Sequence, residues 1–375
     1  MSLDDRGRAA ARAARQAVGQ LPPPPPPRVL LARQRRRSTL AGVLALAVAV
    51  AAGGLVWRNL AVEQAPVNPR PRPVPVLPRH VQARIPVVGG PVAVTVGAGE
   101  VWVANQDAGT VSRIDAASNR VVATVRGGVP APRRTGCGAN LCNPRIVITA
   151  GAGAVWVGAG SSTVRIDPTS NRVTATWPFG PGGGDLLAAQ GALWVSQNDG
   201  TVLRVDPASG TPVARIRVAS TPVVTLGWSW LASLDGAVWA ANPGLGTISR
   251  IDPRTGRVSP WVQLKGPWAT HGMVAAAGSL WLALDDGSVL RVDPASRRVT
   301  ARVAVGGRPF AVAGGDAGVF LANQYAPVVT RIDPATNRVA ARIPIAADLA
   351  VAVGAGAVWA ADSSALYRID PYASG

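Results

Sequence analysis

Val319–Ile343 reads VFLANQYAPVVTRIDPATNRVAARI. Three short runs rich in Val, Ile, Thr and one aromatic are separated by a polar gap and by a DPATN turn. That is the punctuation of antiparallel strands. The turn carries its own specification. Pro334 sets φ for a type I turn, Asp333 accepts from the turn backbone, and Asn337 takes the left-handed position. A short apolar run just upstream, Pro309–Ala313, completes a four-stranded unit.

Outward from this stretch, the unit recurs. RIDP-like stations fall at Asp115, Asp167, Asp206, Asp252, Asp293, Asp333 and Asp370, at spacings of 52, 39, 46, 41, 40 and 37 residues. An aromatic precedes each: Trp102, Trp156, Trp194, Trp239, Trp281, Phe320 and Trp359. A repeat of about 40 residues built from four short strands is the signature of a propeller blade. The fold class is therefore all-β, a seven-bladed β-propeller. The last repeat ends at Ala365–Asp370 without an outer strand. Its twin stands at the front, where His80–Pro86 (HVQARIP) matches Asn337–Pro344 (NRVAARIP). The ring is expected to close by pairing Val81–Ile85 with Leu366–Ile369, which removes an open edge. Asn119, Asn171, Gly210 and Gly256 match Asn337 in their turns. Arg297 breaks the pattern, so its turn is expected to be strained or differently shaped.

The chain has 375 residues and a formal charge of +18, carried almost wholly by Arg. Residues 1–79 hold 13 basic and 3 acidic side chains, so more than half of the excess lies outside the repeats. Residues 1–37 read as a basic, Pro-rich disordered tail on the cytoplasmic side, with Pro22–Pro27 as a stiff docking segment for a cytoplasmic protein. Arg33–Arg37 precedes an uncharged run, Ser38–Trp57, whose 20 residues reach roughly 30 Å as a helix, the thickness of a bilayer core. The basic flank orients such a span with the tail inside; a cleaved secretion signal is the competing reading. On the anchored reading, residues 58–79 are an extended Pro-rich linker and residues 80–375 an extracytoplasmic propeller on a single-pass anchor in contact with membrane lipid. Cys137 and Cys142 would then form a disulfide pinning the loop after the first blade. The basic cluster is explained by topology and the repeats lack an Arg-dense stripe, so no nucleic-acid partner is expected.

The Arg two positions before each station Asp recurs in every repeat, from Arg113 to Arg368, and so reads as scaffold. Functional residues are sought where the repeats differ, in the loops sharing the face that opens onto the central channel. The ligand-binding candidates are Asn105, Gln106, Asp107, Asn198, Asn242, Asp285, Asn323, Gln324, Tyr325 and Asp362. The longer inter-blade segments add Trp177, Trp268 and His271. Aromatics interleaved with amides suit an envelope polymer, a peptide or a protein partner. No metal site and no cofactor is expected.

The RIDPxTNRVxATI repeat resembles bacterial seven-bladed propellers of the YVTN/NHL-like kind, including the streptogramin (virginiamycin B) lyase-like group, over residues 80–375. The resemblance implies the fold and leaves function open, since such propellers include sensors, adhesion modules and enzymes. The main expectation is a membrane-anchored, non-catalytic recognition, sensor or scaffold module. One alternative is a metal-assisted lyase with His271 as base, although acidic and His partners for it are not visible. The other is a purely structural envelope protein.

Overall fold

Each repeat folds into one four-stranded antiparallel sheet, and seven such sheets are formed. The computed structural model describes residues 77–129, 145–180, 184–219, 229–264, 270–324 and 326–372. The innermost strands, blade by blade, are Pro91–Gly97, Ile146–Gly151, Leu186–Ala189, Trp230–Leu234, Thr270–Ala276, Arg308–Gly315 and Ala350–Gly354. Blades 1 to 6 are each made of four consecutive strands. Blade 7 takes its outer strand, Val81–Pro86, from the front of the propeller. The register is Arg84 opposite Tyr367, Ile85 opposite Leu366 and Pro86 opposite Ala365. The Asp370 amide donates to the His80 carbonyl at 2.9 Å and extends the seam.

The core is divided into seven clusters, one between each pair of neighbouring blades. A blade cannot bury both of its faces alone, so the ring is the unit of stability. The repeated aromatics Trp102, Trp156, Trp194, Trp239, Trp281, Phe320 and Trp359 are the largest fully buried side chains. Six of them carry an indole N–H, and each donates it to the backbone carbonyl five residues earlier, such as Trp156 to Gly151 at 2.9 Å. The polar tip is thus satisfied inside the packed layer.

The station Asp residues cap their turns as the sequence predicts. Asp333 Oδ1 accepts from the Ala335 amide at 2.9 Å, five of the others likewise accept from the amide two residues on, and Asp115 accepts from the Ser118 amide. Asn119, Asn171 and Asn337 are left-handed, with φ of 57°, 56° and 55°. Arg297 adopts φ 58°. Its turn keeps the common shape and carries the strain of a long side chain in that region.

The recurrent Arg does more than cover surface. Arg113 of blade 1 donates to Pro168 O and Asn171 Oδ1 of blade 2, Arg291 of blade 5 to Pro334 O and Asn337 Oδ1 of blade 6, and Arg368 of blade 7 to Ala116 O and Asn119 Oδ1 of blade 1. These latches occur where the next blade's turn offers an Asn.

The membrane part of the expected fold class is corrected. Among the described residues no helix is long and apolar enough to cross a membrane. The only helix there is a three-residue 3-10 turn, Pro243–Leu245. The tail at 1–37, the span at Ser38–Trp57 and most of the linker lie outside the described residues. Absence of charge over 20 residues is a condition for a span, not a sign of helix, and this run carries Gly53, Gly54 and several β-branched residues that lower helix propensity. The single-pass topology, the inside–outside assignment, the lipid contact and the cytoplasmic partner at Pro22–Pro27 are withdrawn with it. The disulfide is withdrawn as well: no cysteine pair occurs among the described residues, and Cys137 and Cys142 lie outside them. Its rationale was the oxidising side of a membrane that the structure does not supply.

Candidate functional site

The candidates from sequence separate into two groups. Asn105, Asn242, Asn323 and Asp362 all occupy one repeat position, three residues after the buried aromatic, at the end of the second strand of a blade. Asn105 Nδ2 donates to Thr110 Oγ1 at 3.2 Å and Ser112 Oγ at 2.8 Å. Asn323 Nδ2 makes the matching bonds to Val328 O and Thr330 Oγ1, both at 3.2 Å. Asn242 accepts from Ser229 Oγ at 2.5 Å and reaches the Val218 carbonyl. Asp362 accepts from the Ser364 and Ala365 amides and from the Tyr367 hydroxyl. Burial pushes its carboxyl up, but these bonds outweigh it and hold it below the usual range. The three Asn side chains are buried. Asn105, Asn323 and Asp362 close the gap into the third strand, whereas Asn242 ties back to the entry of its own blade and to the end of blade 3.

Trp177 packs between Trp156 and Phe179, with ring centroids 5.4 Å and 5.7 Å away. Its indole also lies flat on the blade 3 turn, where a Cβ at Gly210 would sit 1.9 Å from the ring. Asp107 packs against Gly90. Asn198 is exposed and lines an open cavity of about 800 Å³ between blades 2 and 3, beside the exposed Asp199–Arg215 pair. Trp268 and Tyr325 lie outside the described residues.

The second group meets at the channel mouth. A cavity of about 490 Å³ opens where the inner strands begin, lined by Gln106, Arg145, Asp185, Trp230, His271 and Phe310 over apolar walls of Val, Ala, Ile and Met. His271 follows the first residue of the blade 5 inner strand and engages Asp285 through Nε2. Its ring lies 5.4 Å from Phe310. Burial lowers the His271 pKa, and the Asp285 carboxylate opposes that shift without reversing it. Arg308 Nε donates to Asp285 Oδ1 at 2.9 Å, and Arg308 Nη1 to Gln324 Oε1 at 3.1 Å. Burial pushes Asp285 up, yet the hydrogen bonds from Arg308 and His271 win and its pKa falls below the ordinary value.

Sequence reasoning missed the other half of this mouth. Arg145 immediately precedes the blade 2 inner strand and lays its guanidinium over Trp230 of blade 4, 4.0 Å from the ring centroid. Asp185 immediately precedes the blade 3 inner strand and accepts from the Leu186 amide at 2.9 Å and the Leu231 amide at 3.1 Å. Burial raises its pKa to about 6, against the pull of those amides and of Arg145. Burial lowers Arg145 to about 10, partly offset by Asp185. The available signal was the residue entering each inner strand, which varies in charge from blade to blade.

The metal-assisted lyase is not supported. Among the described residues no group of three or more His, Cys, Asp or Glu could hold a metal ion. His271 has one carboxylate beside it, and that carboxylate is already shared with Arg308.

No family profile matches the chain, and no curated protein matches it. Among solved structures, a hydrazine synthase chain from Kuenenia stuttgartiensis superposes with TM-score 0.59 at 13% identity, over 75% of this chain and 96% of that one. The WD40 β-propeller domain of Doa1 superposes with TM-score 0.58 at 11% identity, over 78% of this chain and 96% of that one. At such identities the likeness is one of fold alone: the chain is a seven-bladed β-propeller distantly similar to these.

Proposed function

We propose that the chain is a propeller of the YVTN/NHL-like kind whose ring is structural and non-catalytic, a rigid frame holding its rims and channel in fixed geometry. One observation carries this reading: the repeated polar groups are spent inside the ring. The station Asp residues cap turns, Arg113, Arg291 and Arg368 latch blades, and Asn105 and Asn323 bond into their own blades. Polar groups that recur by position and bond inside the ring suit a frame better than a reaction centre. The membrane-anchored recognition module is set aside, because the anchor that defined it is not supported.

The full chain, purified, is to be assayed for hydrolysis or elimination on ester, cyclic ester, glycoside and phosphate substrates, with and without Mg²⁺ or Zn²⁺. No turnover above the protein-free rate is expected. Turnover abolished by His271→Ala at unchanged melting temperature would overturn the structural reading.

A further inference from the structure

Among the described residues, the channel mouth holds in Arg145 a cation whose hydrogen-bonding edge is uncommitted. Arg145 spends one face of its planar guanidinium on Trp230. Among the described residues its N–H groups donate no hydrogen bond. The other ionic groups described at the mouth are engaged. Asp285 is bracketed by His271 and Arg308, Arg308 also holds Gln324, and Asp185 receives two backbone amides. A guanidinium with a free edge matches a carboxylate bidentately. The walls around it are apolar and aromatic, and the volume of about 490 Å³ falls within the roughly 300–1,000 Å³ of small-molecule pockets. A phosphate group would call for several cations, whereas the free cation that the described residues offer over apolar walls fits a single negative charge on an apolar body.

We propose that the channel mouth binds a small organic monocarboxylate, its carboxylate on the free edge of Arg145 and its apolar body against Phe310 and the inner-strand side chains. This goes beyond the structural reading of the ring and stands independently of it.

Asp185 makes the site proton-sensitive. The charged and titratable groups around it are Arg145 from blade 2 and, across the mouth, His271 of blade 5; the blade 4 element packed on it contributes the uncharged Leu231 amide. Above its pKa of about 6 the Asp185 carboxylate repels a bound anion and competes for Arg145; below it, the acid is neutral and the cation stands alone. Affinity therefore rises as pH falls. Were binding confined to the protonated form, the gain between about pH 7.5 and about pH 5.5 would approach roughly 25-fold.

The test is isothermal titration of the full chain with phenylacetate, and with benzylamine as the opposite-charge probe, at both pH values. Saturable phenylacetate binding is expected, at least about threefold tighter at the lower pH, with no benzylamine binding. Arg145→Gln should weaken it at least about tenfold at unchanged melting temperature. Should that variant not fold, Arg145→Lys, which keeps the charge and loses the planar fork, should still weaken it several-fold. No saturable phenylacetate binding up to about 10 mM, preference for benzylamine, or unchanged affinity in the folded Arg145 variant would overturn the site. Affinity that does not tighten at the lower pH would overturn the role of Asp185. None of these outcomes bears on the turnover assays that test the ring's structural role.

Discussion

Arg113 in blade 1 donates its Nη1 to Asn171 Oδ1 in blade 2 at 3.0 Å, across the interface between two separately hydrogen-bonded sheets. The same Nη1 bonds the Pro168 carbonyl at 2.9 Å, so one cation ties down a neighbour's turn at two points. Asn171→Gly removes the side-chain acceptor and keeps a residue at ease with φ 56°. The expected cost is about 1 kcal/mol, read as a lower denaturation midpoint with an unchanged slope.

The same latch can be added where it is missing. Blade 4 offers Gly256 at the matching position, with φ 72° and only the Ile216 side chain near a new Cβ, at 3.5 Å. Gly256→Asn gives Arg204 an acceptor and should raise stability by about 0.5–1 kcal/mol. Gly210→Asn should do the opposite, by about 1–3 kcal/mol, because Trp177 occupies the space its Cβ needs. Melting curves of the two variants are expected to move in opposite directions.

Arg297 stands at φ 58° where the other turns use Asn or Gly. Arg297→Asn should stabilise by about 0.5–1 kcal/mol by relieving that backbone. A fall in melting temperature would show that the Arg side chain contributes more than its strain costs.

Ile85 is 3% exposed in the strand that shuts the ring. Ile85→Ala should cost about 2–4 kcal/mol. A chain starting at Pro91 leaves blade 7 with three strands and a bare edge, and should lose solubility or cooperative unfolding. An unchanged unfolding midpoint in that shortened chain would contradict the closure.

Asp185 gives the fold a pH dependence of definite sign. Its folded pKa of about 6 lies above the unfolded value, so the folded state holds the extra proton between about pH 4 and 6. Its contribution is most favourable below that window and is lost as pH rises through it, by up to about 3 kcal/mol before discounting for solvent in the channel. The turn-capping Asp residues, held low by their hydrogen bonds, act in the opposite sense at lower pH. The difference between wild type and Asp185→Asn in melts at about pH 5 and about pH 7.5 isolates the effect. Wild type should lose stability relative to the variant as pH rises.

The fold was legible because the repeated Asp and Trp each act within a few residues of themselves. Asp333 caps its own turn and Trp281 bonds the strand before it, so sequence spacing carries the geometry. The closing strand was legible because HVQARIP copies a complete blade's ending. The site was less so. Asn105, Asn242 and Asn323 look like variable loop amides in a linear reading, yet all occupy one repeat position and turn inward. Arg145 and Trp230 meet only because the ring brings the inner ends of blades 2 and 4 together past blade 3, a relation no spacing encodes. The interblade latches were half visible: the Arg recurs, but its Asn partner belongs to the next repeat. The membrane span rested on an uncharged run of bilayer length and its basic flank, none of which specifies a helix.

The outer strand of blade 7 has a consequence for biosynthesis. Val81–Pro86 leaves the ribosome before every other strand of the propeller, and its partner Ala365–Ile369 leaves last. Arg84 and Tyr367, which share a hydrogen bond, are 283 residues apart. Blades 1 to 6 can assemble in order as the chain emerges, while the first strand waits unpaired. The ring is sealed only after translation of the propeller has ended, so the slowest contact to form is also the one that confers completeness.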